Sequence, residues 1–244
     1  MELSKRLQAV ADLVTAGCRV ADIGTDHAYI PIALVKAGRI PGAVAMDVNA
    51  GPLERARIHV AENHLEEKIE LRLSDGLAAL RPGEADSVVI AGMGGGLVIR
   101  ILTEGAQTVR TVKECILQPQ SEIEKVRAFL LEEGFLFIQE DMVVDDGKYY
   151  PMMKLIPPGS GGRPHSPEKA GDISSWNETE LRYGKLLLES RNEALYSFLL
   201  REISLKEQIL EDLKGKDSER IAGRRSELEQ ELEYAEKGME YYAL

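Results

Sequence analysis

Leu7, Val10, Ala11 and Val14 recur at the spacing of one helical face behind Ser4, a capping residue, and predict an amphipathic helix running to Gly17. After it the pattern changes to short apolar runs, over residues 20–23, 43–46, 69–73, 87–90 and 115–117, each the length of a buried strand. Helical patterns over 29–37, 52–65, 97–102 and 122–133 alternate with them; Pro31 and Pro52 fall in opening turns, where a missing N–H costs little, and Asn49 stands as a cap. Strands and helices alternating at this spacing predict a parallel, doubly wound α/β sheet. Residues 135–144 and 149–156 break the rhythm. They are two strand-like runs joined by Asp145-Asp146-Gly147-Lys148, a turn signal, and predict a closing antiparallel hairpin.

Beyond residue 156 the composition shifts. Residues 157–180 are rich in Pro, Gly and Ser, with Trp176 the one anchor, and read as a linker. Leu195, Leu199, Ile203, Leu210 and Leu213 then mark one apolar stripe, and Ile221, Leu228, Leu232, Ala235 and Met239 a second near heptad spacing. Two helices joined by a short Gly-containing turn make an antiparallel helical hairpin, a coiled coil, over 181–244. The expected division is therefore 1–156, 157–180 and 181–244.

With 44% hydrophobic and 29% charged residues in 244, the chain has the composition of a globular protein with a sizeable core. No apolar run has the roughly 18 residues of a membrane span, and the N-terminus lacks a signal core, so no membrane association and a cytoplasmic location are expected. Cys18 and Cys115 adjoin apolar runs without CxxC spacing or nearby histidines, which argues for small buried hydrophobes and no metal. The oligomeric state is left open, a monomer included. A net charge of −11, with neither half basic, means that any nucleic-acid face must be a local patch. Candidates are Lys5, Arg6, Lys36, Arg39, Arg55 and Arg57 near the N-terminus, and Lys206, Lys214, Lys216, Arg220, Arg224 and Arg225 near the hairpin tip. Lys5 and Arg6 oppose the dipole of the first helix, which suits cations with an anion to meet, although solvated surface charges explain them equally well.

The candidate chemistry lies where the strands end, because ligands in open α/β sheets bind outside the carboxyl ends of the strands. Asp22 and Gly24 follow the first strand, Asp47 the second, Asp75 and Gly76 the third, Gly92 and Met93 the fourth; Thr25 and Val48 adjoin this set and are counted with it. Asp47 suits a ribose diol, Asp75 an adenine amino group, and the glycines let backbone approach a ligand. A single such Asp is as readily a helix cap or turn former, but three at successive strand ends are harder to explain that way. A dinucleotide requires glycines cradling its pyrophosphate, whereas here Asp26 and Ala28 replace two of them. A carboxylate is unfavourable beside a pyrophosphate and favourable beside a sulfonium, so S-adenosylmethionine fits better than NAD. A parallel sheet with a final antiparallel pair is, by analogy of fold, the Rossmann-like sheet of class I methyltransferases rather than of a dehydrogenase.

The motifs D-I-G-T-D-H-A-Y-I-P after the first strand, M-D at the second, L-S-D-G-L at the third, I-A-G-M-G-G at the fourth and L-Q-P-Q at the fifth resemble the bacterial TrmK family, over residues 1 to about 156 in order. The following helical hairpin matches the family's plan, while Gln120 stands where Asn is expected. The resemblance implies methyl transfer from S-adenosylmethionine to N1 of a tRNA adenine, adenine 22. That base must be unpaired or flipped out, which costs a few kcal/mol. Tyr29 would stack on it, Asp26 would accept from its N6 amino group or offset charge on the ring, and His27 would orient it or touch phosphate. The plainer alternatives are a helix-core Tyr29, a loop His27 and an Asp26 that caps the next helix. A small-molecule methyltransferase and a non-catalytic binding module with a relic cleft are the competing functions, and the hairpin is equally a tRNA clamp or a partner-binding coiled coil.

Overall fold

The computed structural model describes residues 2–160, 176–215 and 218–243. The chain divides into two compact units, Met1–Ile173 and Ser174–Leu244.

In the first unit the apolar runs become β1 (Val20–Ile23), β2 (Ala43–Asp47), β3 (Ile69–Leu73), β4 (Ser87–Met93), β5 (Glu114–Pro119), β6 (Leu136–Asp145) and β7 (Lys148–Ile156). They form one sheet of order β3-β2-β1-β4-β5-β7-β6. The first five strands pair in parallel, and β7 runs antiparallel to both β5 and β6. Asp146 and Gly147 turn the hairpin with φ of 49° and 72°, the two positive values of the tight turn that matches strand twist.

Helices α1 (Lys5–Leu13), α2 (Tyr29–Lys36) and α3 (Ala50–Glu62) pack their apolar residues on one face of the sheet. The opposite face is covered by α4 (Gly95–Glu104), the short α5 (Ala106–Val109) and α6 (Ile123–Glu132). Side chains alternate along a strand. Val20 therefore joins the α1–α3 core while Ala21 and Ile23 join the other, and Asp22, in step with Val20, faces the α1–α3 layer. Chain order reverses between β1 and β4, which opens a crevice at their carboxyl ends.

Ser4 caps α1 as its residue type predicts, accepting from the Leu7 N–H, but the helix ends at Leu13 and does not reach Gly17. The Thr15 N–H is taken by Glu114 Oε1 at 2.9 Å and its hydroxyl by Glu114 Oε2 at 2.5 Å, so a tertiary contact replaces the last helical turn. Strands β4 and β5 run longer than their apolar cores because a bulge between Ala91 and Met93 carries the pairing on to Pro119.

In the second unit, α7 (Glu178–Tyr183) and α8 (Lys185–Glu189) precede the hairpin of α9 (Glu193–Asp212) and α10 (Glu219–Glu240). Most of the stretch expected as linker, residues 161–175, lies outside the described residues. Its last residues are helical, because Asn177 and Glu180 form a reciprocal capping box that starts α7. Leu195, Leu199, Leu228 and Ala235 of the two predicted stripes are buried, and the remainder are half-buried. Lys206 departs from expectation. It is 7% exposed and paired with Glu202 and Glu231, so it ties α9 to α10 and offers no free charge to a ligand. Lys214 pairs with Glu211, Arg224 with Glu227 and Arg225 with the Leu213 carbonyl, whereas Arg220 is exposed and Lys216 lies outside the described residues. Among the described residues, no helix is long and apolar enough to cross a membrane, and no group of His, Cys, Asp or Glu could hold a metal ion. Both cysteines are buried, and burial pushes the Cys115 thiol well above its ordinary value.

Candidate functional site

The chain leaves β1 through Gly24, whose φ of +76° suits glycine and whose missing side chain makes room for a neighbour. A Cβ there would stand 2.0 Å from Met93 Cε, so Met93 from β4 closes over the turn. The N–H groups of Gly24 and Thr25 both donate to the Met46 carbonyl, at 2.8 and 2.9 Å, locking the turn to β2. Ala28 then adopts a left-handed φ of 53° in the position just before α2, and no side chain caps that helix. Asp26 is therefore not the cap that its position allowed. Its carboxylate turns sideways, to Arg55 of α3 through Nε at 3.0 Å and Nη2, and to His27 Nε2 at 3.3 Å.

Three rings lie beside it with nearly parallel planes. The His27 and Tyr29 centroids are 4.8 Å apart, and His59 from α3 lies 5.0 Å from His27 and 5.3 Å from Tyr29. Tyr29 is half-buried in this group and is not a core aromatic. Nothing in the sequence pattern singled out His59. Its one legible mark is a position four residues after Arg55, which puts both on one face of α3.

Across the crevice, Arg6 swings in from α1. Its N–H donates to Asp145 Oδ2 at 3.0 Å and its Nη1 to Gln118 Oε1 at 3.0 Å, while the guanidinium lies 5.5 Å above the Tyr150 ring centroid. Beneath it Gly92, at φ +80°, presents bare backbone; a Cβ there would stand 3.4 Å from Arg6 Nη1 and 3.7 Å from Gln120 Nε2. Arg6, Gly92 and Gln120 line a cavity of about 290 Å³ together with Asp22, Gly24, Thr25, Asp26, His27 and Tyr29.

Asp22 lies 7% exposed in that cavity. Burial pushes its carboxyl up to about 6, the Thr25 hydroxyl draws it part of the way back, and the charge of Asp47 raises it further. An acid kept in a dry site without a cation is unfavourable for the fold, by about 3 kcal/mol once ionised. Since the folded value lies above the unfolded one near 4, Asp22 favours the native state at low pH and loses that contribution as pH rises through about 6. Asp22→Asn is expected to be as stable as the parent near pH 4 and more stable by about 3 kcal/mol at pH 7. Urea denaturation at both pH values measures this gap, and a gap that does not change with pH would remove Asp22 as its source.

The other residues expected at the site stand around this cavity. Asp47 ends β2 with Oδ1 accepting from the Asn49 N–H at 2.7 Å, beside a 56% exposed Val48. Asp75 and Gly76 line a separate hollow between the end of β3 and α4, where Arg100 holds the Asp75 carboxylate at 2.9 Å. The cations expected to rim the cleft do not act as one patch. Arg6 reaches the cavity and Arg55 reaches Asp26, but Lys36 and Arg39 follow α2 away from it, to Asn63 and Asp12, and Arg57 pairs with Glu54. An eight-residue helix is about 12 Å long and links the carboxyl end of β1 back to the amino end of β2, so its last residues lie away from the carboxyl-end crevice.

The donor set fits S-adenosylmethionine: a buried carboxylate that no cation among the described residues faces, a second carboxylate at the next strand end, and two positive-φ glycines that admit a ligand to the backbone. The methyltransferase-domain family matches residues 3–153. The Bacillus subtilis (strain 168) tRNA (adenine(22)-N(1))-methyltransferase is 39% identical over 153 residues, 63% of this chain and 64% of that protein. This sequence match spans less than two thirds of the relative's length. In structure, the B. subtilis M1A22 tRNA methyltransferase TrmK superposes with a TM-score of 0.80 at 30% identity, covering 98% of this chain and 99% of that one. A Streptococcus pneumoniae protein solved in complex with S-adenosyl-L-methionine superposes with a TM-score of 0.81 at 30% identity, covering 98% and 100%.

Proposed function

The chain belongs to the TrmK family of methyltransferase-domain proteins, and on that premise we propose that it transfers a methyl group from S-adenosylmethionine to N1 of an adenine in tRNA, adenine 22 as in its Bacillus relative. The observation that carries this reading is a single cavity joining the buried Asp22 carboxylate to the Asp26–Tyr29 turn and its stacked rings. S-adenosylmethionine supplies an electrophilic methyl group on a cationic sulfur. Asp22 accepts from its ammonium group, Arg6 meets its carboxylate with N–H groups other than the Nη1 bond to Gln118, and Asp47 takes the ribose hydroxyls. Asp75 retains acceptor capacity beside Arg100 for the adenine amino group, since a carboxylate has about four lone-pair sites. Val48 and Met93 supply apolar surface, and Gly24, Thr25, Gly76 and Gly92 let backbone approach.

The target adenine enters on the side of Tyr29 and His27. Stacking on these rings returns about 1 to 3 kcal/mol of the cost of unstacking the base. Asp26 accepts from the N6 amino group, which keeps N1 electron-rich and offsets the positive charge that the ring gains. N1 has its own lone pair, so the chain forms no covalent bond to the base and acts by proximity and alignment. A tRNA substrate puts this work in the cytoplasm.

Labelled methyl is expected to pass from S-adenosylmethionine to total tRNA and not to mononucleosides, and Asp26→Ala to slow transfer while cofactor affinity stays within about threefold. Label in a small molecule with none in tRNA would overturn the reading in favour of a small-molecule methyltransferase. Cofactor binding without any transfer would favour the non-catalytic module.

A further inference from the structure

We propose that Arg55 and His59 of α3 are positioning residues that grip the Asp26–Tyr29 turn and hold its stacked rings in register for the base. This inference rests on the reading of that turn as the base site. The turn needs an external hold. Ala28 sits at a φ of 53°, a conformation costly for any residue with a Cβ, and α2 begins there without a side-chain cap. The hold comes from α3. Arg55 takes Asp26 Oδ1 through both Nε and Nη2, while His27 Nε2 lies 3.3 Å from Oδ2, so both carboxylate oxygens are held. One turn later on the same face, His59 Nδ1 lies 3.2 Å from the His27 carbonyl, which can only accept, so Nδ1 carries the proton and donates. The His59 ring lies at 21° to His27 and 15° to Tyr29 and completes the stack.

The next turn of the helix anchors the grip. Asn63 Nδ2 donates to the His59 carbonyl at 2.8 Å, and Lys36 at the far end of α2 donates to Asn63 Oδ1 at 2.8 Å. The stripe Arg55, His59, Asn63 therefore binds the turn at its start and α2 at its end. The same helix starts three residues after Asp47. The carboxylate assigned to the ribose and the grip on the base turn thus lie on one continuous strand-to-helix connection.

The test uses the full chain, with Arg55→Ala, Arg55→Lys, His59→Ala, Asp26→Ala and the Asp26→Ala/Arg55→Ala pair. Arg55 is 48% exposed in its side chain, so its variants are expected to fold. In kinetics, Arg55→Ala is expected to lower kcat/KM for tRNA 10- to 100-fold and His59→Ala about 10-fold. The calorimetric Kd for S-adenosylmethionine stays within twofold, and Arg55→Lys recovers part of the loss. In the Asp26→Ala background, Arg55→Ala is expected to add less than twofold, because it acts through Asp26. A second readout needs no turnover: with only four histidines in the chain, the His27 ring resonances in Arg55→Ala are expected to lose the ring-current shift of the stack. Unchanged His27 resonances with kcat/KM within twofold of the parent would overturn the grip. Multiplying effects in the double variant would overturn it as well, since Arg55 would then touch tRNA directly. If the parent protein transfers no methyl to tRNA, the reading of the turn as a base site fails, and the resonances alone decide whether α3 holds the turn.

Discussion

Asp47→Ala is expected to weaken S-adenosylmethionine binding about a hundredfold while leaving the thermal midpoint nearly unchanged. Asp47 closes β2 one position beyond Met46, whose carbonyl locks the Gly24–Thr25 turn, and its own Oδ1 is aimed by the Asn49 N–H. The carboxylate is thus oriented before any ligand arrives, with acceptor capacity left for two vicinal hydroxyls. Hydrogen bonds to a charged group contribute about 1.5 to 3 kcal/mol each, so losing two at the lower figure amounts to about 3 kcal/mol, or a hundredfold in Kd. Asp47 is partly exposed and pairs with no cation among the described residues, which is why stability should hardly respond. Titration calorimetry on the parent and variant checks this, and a Kd within fivefold of the parent would take the ribose away from Asp47.

Arg127→Leu is expected to cost about 3 to 5 kcal/mol of stability without involving the site at all. Arg127 on α6 and Glu140 on β6 have side chains 1% and 0% exposed, and Arg127 Nε donates to Glu140 Oε1 at 2.8 Å. Removing the guanidinium takes the 2.8 Å charge-assisted bond away from a carboxylate that is fully buried, and the desolvation that this bond no longer offsets dominates the loss. Domains of this size are stable by about 5 to 15 kcal/mol, so the variant sacrifices a large fraction of the total. Replacing both partners, as Arg127→Leu with Glu140→Leu, is expected to recover most of it, because the Arg127–Glu140 pair is then removed as a whole. Urea midpoints at constant m-value distinguish the cases; a single variant within 1 kcal/mol of the parent would mean that water reaches Glu140.

The site illustrates why part of it could be read early. Asp22, Asp47 and Asp75 stand at strand ends, and strand ends follow from where apolar runs stop. Their placement there needed no coordinates. The Asp146-Gly147 turn was equally legible, since two consecutive positive φ angles demand those residue types. What each acid touches was not legible. Asp26 had the sequence position of a helix cap and became the partner of Arg55, twenty-nine residues away. Lys206 had the composition of an exposed tip cation and was drawn between two helices by Glu202 and Glu231. The N-terminal cations were candidates for one rim, and their partners Asn63, Asp12 and Glu54 drew Lys36, Arg39 and Arg57 elsewhere.

From its order of residues alone, then, this chain determined the alternation of strands and helices, the antiparallel close of the sheet and the set of acids and glycines at the strand ends. Those depend on local periodicity and turn chemistry, which act over a few residues. Tertiary structure decided which charges pair, which acid is buried without a cation, and that His59 completes the ring stack. Those outcomes depend on strand register and on helices meeting across the sheet, and so on contacts between residues that no local pattern connects.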